Sequence, residues 1–250
     1  MLRNRMVQFL LLYVTALAGL LSLKYGLGLS DYIIPPFQEI YRTVLDVTPR
    51  YLEHVLNTLS IAILGHAVSL VLAFAIGILA AGKSTVAALV KTAAYNVQSY
   101  PIVAVAPIIF ILLGDGLLSR LIISVLICYF PLLLTVMGVL SEPVEDIEHF
   151  YRTTRHISWG LQVRIRMFEN IGKLTTVVVG SATMAMVGTI VSEFIASNAG
   201  IGYSIRIALY QSDMAKIIAA LLWIGVATSS YLTLVEWIGK LVQGRLEVRR

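Results

Sequence analysis

Few residues in this chain have the type and spacing that chemistry requires. Glu193 stands alone as a carboxylate well inside a long apolar run, and the four histidines are spread over different segments. The sequence contains no GxxxxGK[ST] phosphate loop, no HExxH zinc motif and no GxSxG nucleophile turn. Cys128 is the single cysteine, so neither an internal disulfide nor a cysteine-based metal site can form. The common motifs for holding ATP, a metal or a nucleophile are therefore absent.

Glu193 and His66 are the candidates for a buried polar role. An isolated charge inside a membrane span costs on the order of a few kcal/mol unless it is paired or hydrated, so Glu193 needs hydrogen-bond donors nearby. His66 lies deep in another apolar run, where either hydrogen-bonded packing or proton transfer would explain it, and we favour packing. Cys128 is expected to act as a small core residue.

The elements that position these residues are long apolar segments. Hydrophobic residues make up 58% of the chain and charged residues 13%, which is too little polar surface for a water-soluble protein of this size. A helix needs about 20 apolar residues to cross a hydrocarbon layer roughly 30 Å thick. Such runs occur at residues 6–23, 55–81, 93–113, 117–140, 174–196 and 217–238. We predict an all-α, polytopic membrane protein with six transmembrane helices in a single domain, residues 1–250.

Prolines predict local departures from straight helices. Pro101 follows Ser99 and Tyr100 in the third apolar run and predicts a break there, whereas Pro107 and Pro131 predict kinks. Residues 37–47, which follow two prolines, place apolar side chains at helical spacing. That stretch is either a short interfacial helix or an ordinary extracytoplasmic loop, and the sequence does not distinguish the two.

Basic residues fall unevenly on the two sides of the predicted membrane. When successive loops are assigned to alternate sides, thirteen Lys and Arg residues fall on one side and six on the other. The positive-inside rule then places both termini and the hydrophilic segment 141–173 in the cytoplasm. The net charge of +5 follows from this topology and needs no nucleic-acid partner.

The segment 141–173 has the pattern of a docking element. Its acidic residues come first and its basic residues follow, the order that the helix dipole favours. Apolar and aromatic side chains are spread through the rest of a segment that hydropathy places outside the membrane. Such side chains indicate docking onto another protein, with a self-packed helical hairpin as the alternative.

Several stretches, together with segment 141–173, resemble one family of transporters. They are Ile34-Pro-Pro, Leu56-Asn-Thr-Leu-Ser60, Pro101-Ile-Val-Ala-Val-Ala-Pro107, Phe130-Pro131 and the stretch from Val191 to Tyr203. They are similar to the permeases of binding-protein-dependent ABC importers. Within that family the resemblance is to the nitrate, sulfonate, taurine and bicarbonate branch, which also includes transporters of thiamine-precursor pyrimidines.

The resemblance implies a type I ABC importer permease fold in the cell inner membrane. It implies a pore shared with a second permease copy or paralogue, and an extracytoplasmic binding protein that delivers the solute. The solute would be a nitrate-, sulfonate- or bicarbonate-like anion or a pyrimidine-type precursor. Separate ATP-binding subunits would bind ATP and Mg, so this chain would carry no cofactor and would not itself be an enzyme.

The resemblance also implies roles for particular residues. Coupling to the ATPase would run through residues 145–165, although the family's Glu-Ala-Ala, glycine and proline pattern is degenerate here, with His156 and Glu169 at the glycine and proline positions. The coupling candidates are Glu148, Phe150, Arg152, Arg155, His156, Ser158 and Trp159. Glu193 matches an acidic position before a Gly-x-Gly turn at Gly200 and Gly202. We favour a role in which Glu193 hydrogen-bonds that turn and shapes the extracytoplasmic gate, with substrate binding as the alternative.

Pore-lining residues would come from the third to fifth spans. The polar candidates are Tyr100, Ser181, Thr183, Thr189 and Ser192. Serine and threonine hydroxyls in membrane helices often bond only their own backbone, so these residues could equally be structural.

A self-contained secondary transporter or channel is the rival interpretation. It predicts ion-coupling charges within the membrane and inverted repeats, whereas this chain has one such carboxylate and no evident repeat. A membrane-embedded enzyme is a third possibility, which no catalytic motif supports.

Overall fold

The structure is a computed structural model that describes residues 5–247 apart from 145–146, 148, 150–152 and 154–157. Its helices with described bounds are α1 (Arg5–Leu27), α2 (Phe37–Ala81), α3 (Ser84–Ser99), α4 (Ile102–Leu113), α5 (Leu117–Ser141), α6 (Trp159–Glu169), α7 (Ile171–Ala196), α8 (Ile201–Tyr210) and α9 (Met214–Glu247). The all-α prediction is confirmed.

Five of the described helices are candidate membrane spans. Helices α1, α2, α5, α7 and α9 are each long and apolar enough to cross a bilayer. Helices α3 and α4, which meet at a bend of 91°, together form either a broken sixth span or a re-entrant loop. The bend lies at Tyr100 and Pro101, whose extended backbone separates the two helices as predicted. Pro107 and Pro131 lie inside helices that continue past them, because neighbouring groups in a membrane protein can satisfy a freed carbonyl.

Helix α2 differs from both sequence-based alternatives. Residues 37–47 form neither a separate interfacial helix nor a loop, but the first turns of one helix of 45 residues that also contains Pro49. At 1.5 Å per residue this helix is about 68 Å long, roughly twice the hydrocarbon thickness. Its first part stays helical because Val47 and Tyr51 are buried against α8 and α9. Tertiary packing thus overrides the local signal of the prolines.

Helix α5 lies between α2 and α7 and forms the centre of the bundle. Small residues allow this close approach. A β-carbon on Gly65 of α2 would overlap Ser124 of α5, and one on Gly188 of α7 would lie 2.9 Å from the Ser124 α-carbon. Ser124 in turn donates a hydrogen bond of 3.1 Å to the Ala185 carbonyl. Three helices therefore meet at Ser124 with no room for a larger side chain.

Helix α1 packs chiefly on α9, the last helix. Gly225 leaves the space that the Phe9 ring occupies, and Tyr13 donates a hydrogen bond of 3.1 Å to the Ile218 carbonyl. Arg5 forms an ion pair of 2.7 Å with Glu236, which also pairs with Lys240 at 2.7 Å. Glu236 thus joins Arg5 of α1 to Lys240, which lies one turn further along α9.

Gly188 gives a test of this packing. Gly188→Ala should destabilise the fold by about 1–3 kcal/mol, because its methyl group would press on backbone that cannot move aside. The measurement is the thermal unfolding midpoint of the purified protein in detergent.

Gly180→Ala on the same helix is the matched control. No atom lies within 4 Å of a β-carbon built there, so this change should leave the midpoint unchanged or slightly raised. Equal midpoints for the two variants would contradict the close approach of α5 and α7.

Candidate functional site

The turn between α7 and α8 holds a buried carboxylate. Helix α7 ends at Ala196 and α8 begins at Ile201, with Gly200 at φ +96° immediately before it. Only glycine adopts that backbone angle without strain. Glu193, in the last turn of α7, is fully buried beneath this turn.

Glu193 accepts hydrogen bonds from two other helices. The Gly202 amide donates to Oε2 at 3.1 Å, and the Thr58 hydroxyl of α2 lies 2.9 and 2.8 Å from the two carboxylate oxygens. Thr58 Oγ1 also accepts a hydrogen bond of 3.0 Å from the Ile201 amide, and His54 Nδ1 accepts one of 3.1 Å from the Gly200 amide. The first amides of a helix have no partner within it. Side chains of α2 and α7 supply those partners for α8.

The two glycines of the turn leave room for the carboxylate. A β-carbon on Gly200 would overlap the Glu193 carboxylate, and one on Gly202 would overlap the Ile190 carbonyl oxygen. The Gly-x-Gly spacing therefore leaves the space in which the buried carboxylate lies. The predicted hydrogen bond between this turn and Glu193 is present, with the Gly202 amide as the donor, and the gating role stays a prediction.

Three of the five polar pore candidates are buried and already hydrogen-bonded within the chain. Ser192 donates to the Thr189 carbonyl at 2.7 Å, and Thr189 donates to the Ala185 carbonyl at 2.9 Å. Ser181 belongs to the cluster described next. These hydroxyls face helix contacts within this chain, as the backbone-bonding alternative expects.

The remaining two candidates lie apart from each other. Thr183 is half-buried and lines a polar cavity of about 500 Å³ that the Arg5, Glu236 and Lys240 cluster also lines. Tyr100 is exposed at the break between α3 and α4. The structure of this chain therefore does not bring the five candidates together.

His66 is part of a buried hydrogen-bonded cluster. Its Nε2 lies 2.9 Å from Ser181 Oγ and its Nδ1 2.7 Å from the Tyr231 hydroxyl. Because Ser181 donates its hydroxyl hydrogen to the Val178 carbonyl, it accepts from Nε2, and Nδ1 accepts from Tyr231. The hydrogen-bonded burial expected for His66 is thus present, although the sequence did not indicate either partner.

The coupling candidates are only partly described. Glu148, Phe150, Arg152, Arg155 and His156 lie outside the described residues. Ser158 caps α6 by accepting a hydrogen bond of 3.4 Å from the Leu161 amide. Trp159 is half-buried, and its ring lies against Gly82 at the end of α2, where a β-carbon would come within 3.3 Å of it. Trp159 therefore packs on its own chain, as the hairpin alternative expects.

Arg166 fastens α6 to the bundle, a role that sequence reasoning missed. This arginine is 8% exposed, and its guanidinium donates a hydrogen bond to the Leu140 carbonyl in the last turn of α5. The final carbonyls of a helix lack partners within it, and a cation there also complements the helix dipole. Together with Trp159, Arg166 joins α6 to two core helices.

Glu193 can be tested with two substitutions that differ in hydrogen bonding. Glu193→Gln keeps an acceptor for the Gly202 amide, and Thr58 can turn its hydroxyl towards the His54 carbonyl, 3.1 Å away, so much of the stability should remain. Glu193→Ala leaves buried donors unmet and should cost about 1–3 kcal/mol. Thermal unfolding midpoints and transport by each variant give the comparison. Equal loss in both variants would instead indicate an obligatory charge.

Comparison with known proteins identifies the class of membrane protein. The chain is 25% identical to the formylaminopyrimidine transport permease protein ThiX of Halalkalibacterium halodurans over 185 residues, 74% of each chain. It is 33% identical to the riboflavin transport system permease protein RibX of Chloroflexus aurantiacus over 156 residues, 61% of this chain and 55% of RibX. A probable ABC transporter permease protein of Haemophilus influenzae is 24% identical over 142 residues, 56% of this chain and 58% of the relative.

A family match covers the helices from the end of α2 onward and the turn that holds Glu193. Residues 73–248 match the binding-protein-dependent transport system inner membrane component. That range is more than two thirds of the chain and runs from the end of α2 through α9. The chain therefore belongs to the inner membrane components of binding-protein-dependent transport systems, the permeases of ABC importers.

Proposed function

We propose that this permease carries a planar nitrogen heterocycle, of the pyrimidine or flavin kind, that an extracytoplasmic binding protein delivers. The supporting observation is that two relatives are named for the transport of such compounds, a formylaminopyrimidine and riboflavin. A nitrate-, sulfonate- or bicarbonate-like anion is the other substrate class that the sequence resemblance allows. Lys and Arg in the described spans lie towards the helix ends, so no cationic cluster at mid-membrane favours an anion.

In this proposal the chain is a translocation subunit and not an enzyme. It pairs with a second permease copy or paralogue, and separate ATPase subunits bind ATP and Mg and hydrolyse the nucleotide. Alternating access follows when closure of the ATPase subunits draws the two permeases' coupling segments together. The excess of Lys and Arg on one side supports a cytoplasmic location for both termini and the coupling segment.

The attachment of α6 supports coupling through residues 145–165. Arg166 and Trp159 hold α6 against the ends of α5 and α2, so a displacement of α6 passes to the bundle. Packed helices transmit such displacements because their interiors are dense. We assign Trp159 to this attachment, and contact with the ATPase to the neighbouring polar and basic residues.

Uptake into proteoliposomes tests the proposed substrate class. Permease reconstituted with its ATPase and binding protein should take up radiolabelled formylaminopyrimidine or riboflavin when ATP is present, and should not take up labelled nitrate. Nitrate uptake would overturn the heterocycle assignment. Uptake that persists without the ATPase would favour a secondary transporter.

Arg166→Gln tests the coupling path. Without the guanidinium the link from α6 to α5 is lost, so the number of solute molecules imported per ATP hydrolysed should fall severalfold while the ATPase still co-purifies. Lys83→Gln is the control, since Lys83 is an exposed cation near the same end of α2. A parallel fall in transport, hydrolysis and amount of complex, at constant ratio, would show that Arg166 serves stability alone.

A further inference from the structure

A large apolar cavity lies between α2, α6, α7 and α9. Its volume is about 700 Å³, within the range of roughly 300–1,000 Å³ typical of small-molecule and cofactor sites. Its walls are almost entirely aliphatic and aromatic, and include Leu70, Phe74, Val178, Leu234 and Ile238. Arg166 and Trp159, which attach α6, do not line this cavity, and neither does Glu193.

The cavity has the depth of one membrane leaflet. It extends from Ile63 to Phe74 along α2 and from Tyr231 to Val242 along α9. Eleven residues of helix correspond to about 16 Å, roughly half of a 30 Å hydrocarbon layer. Phe74 and Val242 lie at the end that α6 covers, which is the cytoplasmic end in the proposed orientation. The cavity therefore spans the cytoplasmic leaflet and stops near mid-membrane.

The two ends of the cavity differ chemically. At the inner end the polar groups of His66 and Tyr231 are bonded to each other, so they offer little to a polar ligand. At the cytoplasmic end lies Arg164 of α6, which is exposed and has no carboxylate partner among the described residues. Of the other described cations near this end, Lys240 pairs with Glu236 and Lys173 with Glu142, whereas Arg245 is exposed beyond Val242 and does not line the cavity.

We propose that this cavity binds an acyl chain of an anionic phospholipid from the cytoplasmic leaflet, with the lipid phosphate on Arg164. An acyl chain matches the length and the apolar lining, and arginine is the side chain best suited to binding phosphate through two parallel hydrogen bonds. Basic pockets between membrane helices on the cytoplasmic side are recognised sites for anionic headgroups. A heterocyclic solute fits less well, because its polar groups would lie unpaired against an apolar wall.

The lipid would have a structural consequence for α6. Val163, Met167 and Phe168 of α6 line the cavity beside Arg164, so a bound acyl chain fills the space between α6 and the spans. The lipid therefore holds the coupling helix on the side away from Arg166. This proposal does not depend on the identity of the transported solute.

Native mass spectrometry of the purified full-length protein tests the site. The protein is delipidated and then incubated with equal amounts of phosphatidylglycerol and phosphatidylcholine. The wild type should retain one phosphatidylglycerol per permease chain. Arg164→Gln should lose about tenfold in preference for phosphatidylglycerol, the effect expected for one charge-assisted hydrogen bond. Ala67→Phe, which puts a ring into the cavity from an exposed position, should abolish retention of either lipid.

Matched controls separate the cavity from the general surface. Lys83→Gln removes another exposed cation and Ala18→Phe adds a ring to the exposed surface of α1, and both should bind lipid as the wild type does. Absence of retained phospholipid in the wild type would overturn the proposal, as would retention that neither cavity variant lowers.

Two further outcomes would assign the cavity to another occupant. If no lipid is retained and Ala67→Phe disrupts pairing of permease chains, a second copy fills the cavity. If no lipid is retained and Ala67→Phe blocks uptake alone, the cavity belongs to the transported solute. Arg164→Lys keeps the charge but not the paired hydrogen bonds, so it should retain part of the lipid preference. A fall in preference in Arg164→Gln that is smaller in Arg164→Lys therefore excludes a folding defect.

Discussion

The hydrogen bonds of the Glu193 carboxylate fix the end of the bundle at which α7 meets α8. Moving a carboxylate out of water is costly, and that cost is offset only when donors surround it. Here the donors come from Thr58 on α2 and from the first turn of α8. Helices α2, α7 and α8 cannot separate without leaving buried polar groups unmet. The side chain of Glu193 thus holds these three helices in contact.

At the opposite end of the bundle, a cation supplies the hydrogen-bond partner that a helix end needs. Arg166 supplies a donor to the last turn of α5, where helix carbonyls lack partners, just as Glu193 supplies an acceptor to the first turn of α8. Between these ends, α2, α5 and α7 touch at Ser124 with almost no free space. Buried hydrogen bonds therefore hold the bundle together at both ends, and close packing holds it at its centre. In a bundle held in this way, a displacement of α6 moves the neighbouring helices as well.

The sequence predicts the spans well and the contacts between them poorly. Apolar run length and proline position are local properties, so five long apolar helices and the break at Pro101 follow from them directly. The continuity of α2 through Pro49 depends on packing of Tyr51 against α9, which no local pattern reveals. The sequence indicated that Glu193 must have donors and that Gly202 was near. Thr58 lies in the Leu56–Ser60 stretch of the family resemblance, but it is 135 residues from Glu193 and no local pattern paired the two. The roles of Arg166 and Trp159 within the chain were not foreseen for the same reason, since a basic or aromatic residue outside the spans suggests a partner protein before it suggests its own chain.

The contact between the first and last helices has a consequence for biosynthesis. Arg5 and Glu236 are separated by 231 residues, and Phe9 fits the gap at Gly225. During translation α1 is made well before α9, the helix on which it chiefly packs. Helix α1 therefore lies in lipid without this contact until α9 has also been made. Most of the leucines and valines of α1 face outward, where lipid can surround them before α9 is present. An apolar helix with all its backbone groups bonded internally is stable in a bilayer without neighbours.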